Sequence, residues 1–136
     1  MTLAIDRIDH IVLNVRDVEV SAAWYRDVLG MQREDVASRT GMRVAMKFGR
    51  QKLNLRPVDT DRVAWFTGAH PATGSDDVCF ITEQPPPDVV AHLHALHVAI
   101  EAGPIERAGA LGPMTSVYCR DPDGNLIEIA SYPPAY

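Results

Sequence analysis

The feature that most constrains the fold is a turn sequence near the C-terminal end, flanked by two apolar runs. Residues 121–124 read Asp-Pro-Asp-Gly. Proline presets φ at a turn position, aspartate side chains bond the nearby backbone, and glycine adopts positive φ without steric cost. Thr115–Cys119 precedes this turn and Leu126–Ala130 follows it. The sequence therefore predicts a β-hairpin here.

The return strand of this hairpin carries one charged residue, Glu128, between Ile127 and Ile129. Because side chains alternate between faces along a strand, Glu128 shares a face with Leu126 and Ala130. Burying an unpaired carboxylate is very costly. Glu128 is therefore paired, bound to a cation, or exposed on an open sheet face.

Length and charge exclude several classes of function. The chain has 136 residues, a length that suits one ordinary domain or two small fused modules. Its formal net charge of −5 gives no basic surface for nucleic acid or an anionic membrane. No apolar run approaches the roughly 20 residues needed to span a bilayer, and the N-terminus lacks a secretory signal. We expect a cytoplasmic protein in which Cys79 and Cys119 are buried free thiols.

The first half of the chain is predicted to run strand, helix, strands. Asp17 is a suitable helix N-cap and Gly30 a suitable C-terminal glycine. The first strand has His10 on the same face as Asn14. The predicted elements are a strand at 8–15, a helix at 18–29, and a hairpin of strands at 43–48 and 51–58.

The second half repeats this order after a connection at about 59–75. Asp88 is the predicted N-cap of its helix and Gly103 the residue that ends it. The predicted elements are a strand at 76–81, a helix at 89–102, an extended piece at 104–108 and the terminal hairpin. The repeated order indicates a diverged tandem duplication, with module one at about 5–58 and module two at about 76–132.

Superposing the two halves makes His10 equivalent to Asp77, and Asn54 equivalent to Glu128. All four residues have metal-capable donor atoms and lie on predicted strands. Their mixed nitrogen and oxygen donors suit one divalent ion such as Mn²⁺, Fe²⁺, Co²⁺, Ni²⁺ or Zn²⁺. A histidine and two carboxylates can hold such an ion and leave coordination positions for water or substrate.

Three stretches together resemble the vicinal oxygen chelate superfamily, the glyoxalase, bleomycin-resistance and extradiol-dioxygenase group. They are residues 9–15, 23–30 and 118–128. The resemblance implies one α+β domain over residues 1–136, in which two tandem βαβββ modules form an open, curled mixed sheet around a central cavity. It also implies a divalent metal bound by strand residues, activation of substrates through adjacent oxygens, and a homodimer.

The resemblance is carried over residue by residue. His10 and Glu128 match metal-ligand positions of the superfamily. Asp77 stands where a histidine is frequent, and Asn54 stands where glyoxalase-I-like members have glutamate. Tyr118 matches a substrate-binding tyrosine of the dioxygenases. We therefore predict His10, Asp77 and Glu128 as metal ligands, and Glu128 and Tyr118 as catalytic residues.

Other side chains are candidates for binding a substrate or for ordinary structural roles. Substrate contacts are predicted for Asn54, Arg56 and Tyr118. Arg56 and Arg107 could contact an anionic substrate, although surface arginines are commoner. Three histidines invite a metal interpretation, but a solvated helix face is favoured for them, because the His-Glu-x-x-His pattern is absent; they are His92, His94 and His97.

Two classes of function follow. The first is a divalent-metal-dependent enzyme acting on a small molecule with adjacent oxygens, by glyoxalase-like lyase or isomerase chemistry or by ring-cleaving dioxygenase-like chemistry. The second is a metal-free binding protein of the bleomycin-resistance type. The departures at Asn54 and Asp77 keep the second class open, because members of that branch lose metal ligands.

Overall fold

The computed structural model describes residues 1–134 and consists of two compact units. The first unit comprises Met1–Thr73 and the second begins at Gly74. The boundary lies within the predicted connection at 59–75. Each unit contains one helix and a four-stranded mixed sheet, so the predicted α+β class and the βαβββ order are confirmed.

The first unit pairs its first strand in parallel with its last. The elements are β1 (His10–Val15), α1 (Val18–Leu29), β2 (Gln32–Ser38), β3 (Gly41–Phe48) and β4 (Gln51–Pro57). The sheet has the order β1-β4-β3-β2, and the other two pairings are antiparallel. The buried apolar residues of the sheet and helix include Leu13, Val15, Tyr25, Met46, Leu53 and Leu55.

Helix α1 begins and ends where its capping residues predict. Asp17 Oδ1 accepts hydrogen bonds from the N–H groups of Glu19 and Val20, at 3.0 and 3.1 Å. These contacts satisfy donors that have no partner within the helix. Gly30 follows the helix with φ 66°, a left-handed conformation that glycine adopts at little cost.

The second unit repeats this topology. The elements are β5 (Asp77–Ile81), α2 (Pro86–Ala95), β6 (Ala102–Gly109), β7 (Gly112–Arg120) and β8 (Leu126–Ser131). The sheet has the order β5-β8-β7-β6, with β5 parallel to β8 and the remaining pairs antiparallel. Val89 and Leu93 of the helix are buried, as are Val117, Ile127 and Ile129 of the sheet.

The predicted terminal hairpin is confirmed, and its turn is held by Asp121. Asp121 Oδ1 accepts hydrogen bonds from the backbone N–H groups of Asp123 and Asn125, each at 2.9 Å. Asp121 Oδ2 accepts a third, from Asn125 Nδ2, at 2.8 Å. Gly124 has φ 92°, a conformation that explains the glycine in the turn.

Several element predictions were wrong. Strand β2 was not located, because it is an edge strand of mostly exposed polar residues without apolar alternation. Helix α2 has Pro85 rather than Asp88 as its N-cap. It ends at Ala95, not at Ala102, because the chain turns away at His97, whose φ is 57°. Ala102 instead begins β6, so the predicted helix overran into a strand.

The two cysteines have different environments. Cys119 is buried, as predicted, whereas Cys79 is exposed, so its predicted burial was wrong. Alternation along β5 explains the exposure, because Asp77, Cys79 and Ile81 share the exposed face of that strand. Neither of the described helices is long and apolar enough to cross a membrane.

Candidate functional site

Strand register within each unit agrees with the equivalences predicted between the two halves. In the first unit Asn54 is paired with Val12, which lies two residues after His10. In the second unit Glu128 is paired with Cys79, which lies two residues after Asp77. In each unit the last strand carries one donor, Asn54 or Glu128. The first strand carries the other donor, His10 or Asp77, two residues before the residue that is paired with the first donor.

The second unit contains a cavity of about 310 Å³ that brings three predicted site residues together. Antiparallel pairing places Tyr118 directly opposite Glu128, and parallel pairing places Asp77 beside Leu126, two residues before Glu128. The cavity is lined by Asp77, Glu101, Ala102, Arg107, Tyr118, Arg120, Leu126 and Glu128.

Glu128 is a buried carboxylate held by neutral hydrogen-bond donors. Its exposed fraction is 9%. Ser116 Oγ donates to Glu128 Oε2 at 2.5 Å, and the Cys79 thiol forms a further hydrogen bond to Glu128. No ion pair with a lysine or arginine forms at Glu128 within residues 1–134. Within the described residues, the structure therefore shows neither an ion pair nor full exposure for Glu128.

The Cys79 thiol is held in its protonated form. Partial burial, the negative charge of Glu128 and its hydrogen bond to the thiol, in decreasing order of effect, together raise the pKa of Cys79 to about 11. Nucleophilic and metal-binding reactions of cysteine need the thiolate. Cys79 therefore acts at neutral pH as a hydrogen-bond donor to Glu128 rather than as a nucleophile.

Tyr118 orients an arginine at the cavity. Arg107 Nε donates to the Tyr118 hydroxyl at 3.1 Å, and the guanidinium carbon lies 5.6 Å from the centroid of the phenol ring. The other arginine of the cavity is paired instead. Arg120 Nε and Nη2 donate to the two carboxylate oxygens of Glu101, at 2.6 and 2.9 Å, and this contact lowers the pKa of Glu101.

His10 lies on the first unit with its imidazole oriented by a neighbour. His10 Nδ1 lies 2.7 Å from Asp9 Oδ2, and this hydrogen bond lowers the pKa of Asp9. A carboxylate at Nδ1 favours the tautomer in which Nε2 has a lone pair for a ligand. Asn54, on β4 of the same sheet, is half-buried and lies between Val12 and Ala45 of the neighbouring strands.

Arg56, a predicted substrate contact, is completely buried within the first unit. Its guanidinium donates to Asn14 Oδ1 at 2.8 Å and to the carbonyl oxygens of Thr60, at 2.6 Å, and Trp65, at 3.0 and 3.1 Å. These acceptors occupy the guanidinium and fasten the connection after β4 to the sheet. The structure therefore favours a structural role for Arg56 over the predicted contact with a substrate.

Residues near Glu128 that the sequence analysis did not select include Ser116. Ser116 and Tyr118 are two residues apart on β7, so both lie on the face that carries Glu128 of β8. That alternation was a usable signal for Ser116. His92 and His94 are exposed on helix α2, in agreement with the solvated helix face predicted for them, whereas His97 is exposed but lies beyond the end of the helix.

Residues 7–129 match the family described as Glyoxalase/Bleomycin resistance protein/Dioxygenase superfamily. The chain belongs to this superfamily. The predicted resemblance to the vicinal oxygen chelate superfamily is thereby confirmed.

Alignments with similar proteins and solved structures cover most of the chain of this superfamily member. Virulence protein STM3117 of Salmonella typhimurium is 42% identical over 130 residues, which cover 96% of this chain and 87% of the relative. A solved structure from the mobile metagenome of V. Pseudocholerae is 39% identical, with a TM-score of 0.92, covering 98% of this chain and 100% of the other. Lactoylglutathione lyase from Agrobacterium tumefaciens is 28% identical, with a TM-score of 0.69, covering 94% and 95%.

Superfamily members can use a divalent metal, and imidazole nitrogen and carboxylate oxygens are donors that such an ion accepts. His10 offers Nε2, and Asp77 and Glu128 offer carboxylate oxygens, a set that suits a borderline or hard divalent ion. Within residues 1–134, however, no group of three histidine, cysteine or acidic side chains is close enough together to hold an ion.

Proposed function

We propose that this superfamily member is a divalent-metal-dependent enzyme acting on a small molecule with adjacent oxygen atoms. The observation that supports this proposal is Glu128, a buried carboxylate at a cavity whose hydrogen-bond partners, Ser116 and Cys79, are neutral. Burial of a charge without a counter-charge is costly. A cation at the cavity would supply the missing countercharge.

His10, Asp77 and Glu128 would hold the ion. When bound, a divalent ion acts as a Lewis acid that polarises two adjacent substrate oxygens. The similarity to the protein named lactoylglutathione lyase, at 28% identity, supports glyoxalase-like lyase or isomerase chemistry over ring cleavage. We therefore include this type of reaction in the proposal.

Chain residues would orient the substrate and move its proton. Glu128 is the proposed base, because its carboxylate faces the cavity and has a fixed orientation. Ser116 would keep the carboxylate of Glu128 in position through their hydrogen bond. Tyr118 and Asn54 would donate hydrogen bonds to substrate oxygens, since both present polar side chains on the open faces of their sheets.

We place the complete site in a homodimer. One copy of the chain holds no ready group of three donors among its described residues, so a second copy would complete the ligand set. In this proposal His10 and Asn54 come from one copy, and Asp77 and Glu128 come from its partner. A cytoplasmic location remains an expectation.

Elemental analysis of protein purified without a chelator tests the metal. We expect about one ion per chain, lost in His10→Ala and in Glu128→Ala but kept in Glu106→Gln. Glu106 is a matched control, because it is an exposed acid of β6 outside the ligand set. Wild-type protein that contains no divalent ion, and recovers none after incubation with Mn²⁺, Fe²⁺, Co²⁺, Ni²⁺ or Zn²⁺, would contradict the proposal.

Mixing two variants tests the shared site. His10→Ala and Glu128→Ala each lack one ligand, but a dimer of one copy of each contains one intact site. Random exchange of subunits would restore about a quarter of the wild-type metal content. A wild-type protein that binds metal as a monomer would exclude the homodimer but not the metal site.

The second candidate function is a metal-free binding protein that sequesters a ligand. The specific observation in its favour is the neutral Asn54 at the position equivalent to Glu128, together with the absence of a ready ligand group among residues 1–134. Binding of an aromatic or glycopeptide ligand by protein that holds no metal would support this candidate, whereas metal-dependent turnover would exclude it.

A further inference from the structure

One guanidinium at the cavity of the second unit has no carboxylate partner among residues 1–134. Arg107 and Arg120 both line this cavity. Glu101 binds Arg120 through two short hydrogen bonds. The partners of Arg107 within residues 1–134 are instead the Tyr118 hydroxyl, the face of the Tyr118 ring and the carbonyl oxygen of Glu106. Of these two arginines, Arg107 is therefore the one whose positive charge is not offset.

The contacts of Arg107 fix its orientation but leave donors available. Nε is used by Tyr118, at 3.1 Å, and Nη1 by the Glu106 carbonyl, at 3.3 Å. Nη2 makes neither of these contacts. The Tyr118 oxygen accepts from Arg107, and its O–H donates to no other residue in the part of the chain that the structure describes, so this group can donate to a ligand. Two donors of different kinds, a charged N–H and a phenol O–H, are thus held together at the cavity.

Oxyanionic groups are the ligands that such a pair recognises. Guanidinium binds carboxylate, phosphonate and phosphate oxygens through charge-assisted hydrogen bonds, which are shorter and stronger than neutral ones. Fixing the guanidinium on Tyr118 in advance lowers the entropy that a ligand must overcome. The cavity volume, about 310 Å³, lies at the lower end of the range for small-molecule sites and therefore favours a small ligand.

The geometry points to an oxyanion subsite formed by Arg107 and Tyr118, so we propose that the substrate is a small molecule with a carboxylate or phosphonate group. Tyr118 lies opposite Glu128 in the β7–β8 pairing. The anionic group would therefore bind close to the carbon on which Glu128 acts. This inference rests on the proposed function, which assigns Glu128 its role as a base.

Titration calorimetry with two anionic probes tests the inference. The probes are pyruvate and methylphosphonate, and pyruvamide is the neutral counterpart of pyruvate. We expect at least one anion to bind more tightly than pyruvamide, and Arg107→Gln to weaken that binding about tenfold or more. Tyr118→Phe keeps the ring and removes the hydroxyl, so we expect a smaller loss. The relative affinities of the two probes separate a carboxylate site from a phosphonate site.

Two variants control for a general effect of positive charge. Arg50→Gln removes an exposed arginine from the turn between β3 and β4 and should leave binding unchanged. Arg120→Gln removes the arginine that Glu101 already neutralises, and its loss should be smaller than that of Arg107→Gln. Equal losses in Arg107→Gln and Arg50→Gln would overturn the inference, as would the absence of binding by both anions.

Repeating the titrations after treatment with a chelator separates the two proposals. If Arg107→Gln still weakens anion binding after chelation, the subsite is supported, even if the protein binds no metal. Protein that binds metal but shows no dependence on Arg107 overturns the subsite and leaves the proposed enzyme standing.

Discussion

Ser116 donates a 2.5 Å hydrogen bond to Glu128 across the β7–β8 pair. Ser116 is fully buried and Glu128 is nearly so. The hydroxyl is therefore a fixed donor to a buried carboxylate oxygen. It also fixes the orientation of the carboxylate, and a metal ligand or a base requires a fixed orientation.

Replacing Ser116 by alanine should destabilise the protein and disturb Glu128. Removing the donor leaves a buried carboxylate oxygen poorly satisfied, so we expect the free energy of unfolding to fall by about 1–3 kcal/mol. Urea denaturation measures this change. Ser75→Ala, at an exposed position of the same unit, is the control, for which we expect a change within about 0.5 kcal/mol. Equal stability of the two variants would show that the hydrogen bond contributes little.

Glu128→Gln should make Cys79 more reactive. The carboxylate opposes ionisation of the thiol, so removing its charge should lower the pKa of Cys79 from about 11, although partial burial, the larger cause, remains. We expect alkylation of Cys79 by iodoacetamide at pH 8.5 to accelerate about three- to tenfold.

Mass spectrometry of the cysteine peptides follows this reaction. Cys119 is the internal reference, because burial raises its pKa to about 11 and the charge of Asp121 acts in the same direction. Alkylation of Cys119 should remain slow in both proteins. An unchanged rate at Cys79 would show that the Glu128 charge does not reach the thiol.

Arg56→Gln should unfold the first unit at lower denaturant concentration. The guanidinium has no exposed surface, and its hydrogen bonds hold the connection at Thr60 and Trp65 to the sheet. Loss of several charged hydrogen bonds should cost about 3 kcal/mol or more, measured by urea denaturation. Arg50→Gln is the exposed control. If Arg56 instead contacts a substrate, the substitution would weaken ligand binding and leave stability unchanged.

Asn125→Ala should loosen the terminal hairpin. Asn125 is fully buried, donates to Asp121 Oδ2 at 2.8 Å and accepts from the backbone N–H of Asp76 at 2.9 Å. We expect a loss of about 2–3 kcal/mol in the free energy of unfolding, compared with a negligible change in the exposed control Gln84→Ala. Asn125→Asp should also destabilise, because a second carboxylate would face Asp121. Wild-type stability of both variants would contradict this account of the turn.

Local signals account for the elements that were predicted well. Asp17 and Gly30 bound helix α1 as expected, and the turn at 121–124 joins β7 and β8. Each of these signals acts on the backbone within a few residues, so a short stretch of sequence contains all of the residues that interact. Strand β2 lacked such a signal, because its polar residues form an edge that is specified by pairing with β3.

The sequence by itself determined the repeated order of strand, helix and terminal hairpin in each half, the face of β8 that carries Glu128, and membership of the superfamily. These properties depend on periodicity, turn chemistry and local motifs. Only the tertiary structure decided what the charged side chains contact: Ser116 holds Glu128, backbone carbonyls occupy Arg56, and Tyr118 orients Arg107. The physical reason is that these contacts join residues that are distant along the chain. Strand register and the paths of the connections bring those residues together, and no local sequence pattern encodes either of them.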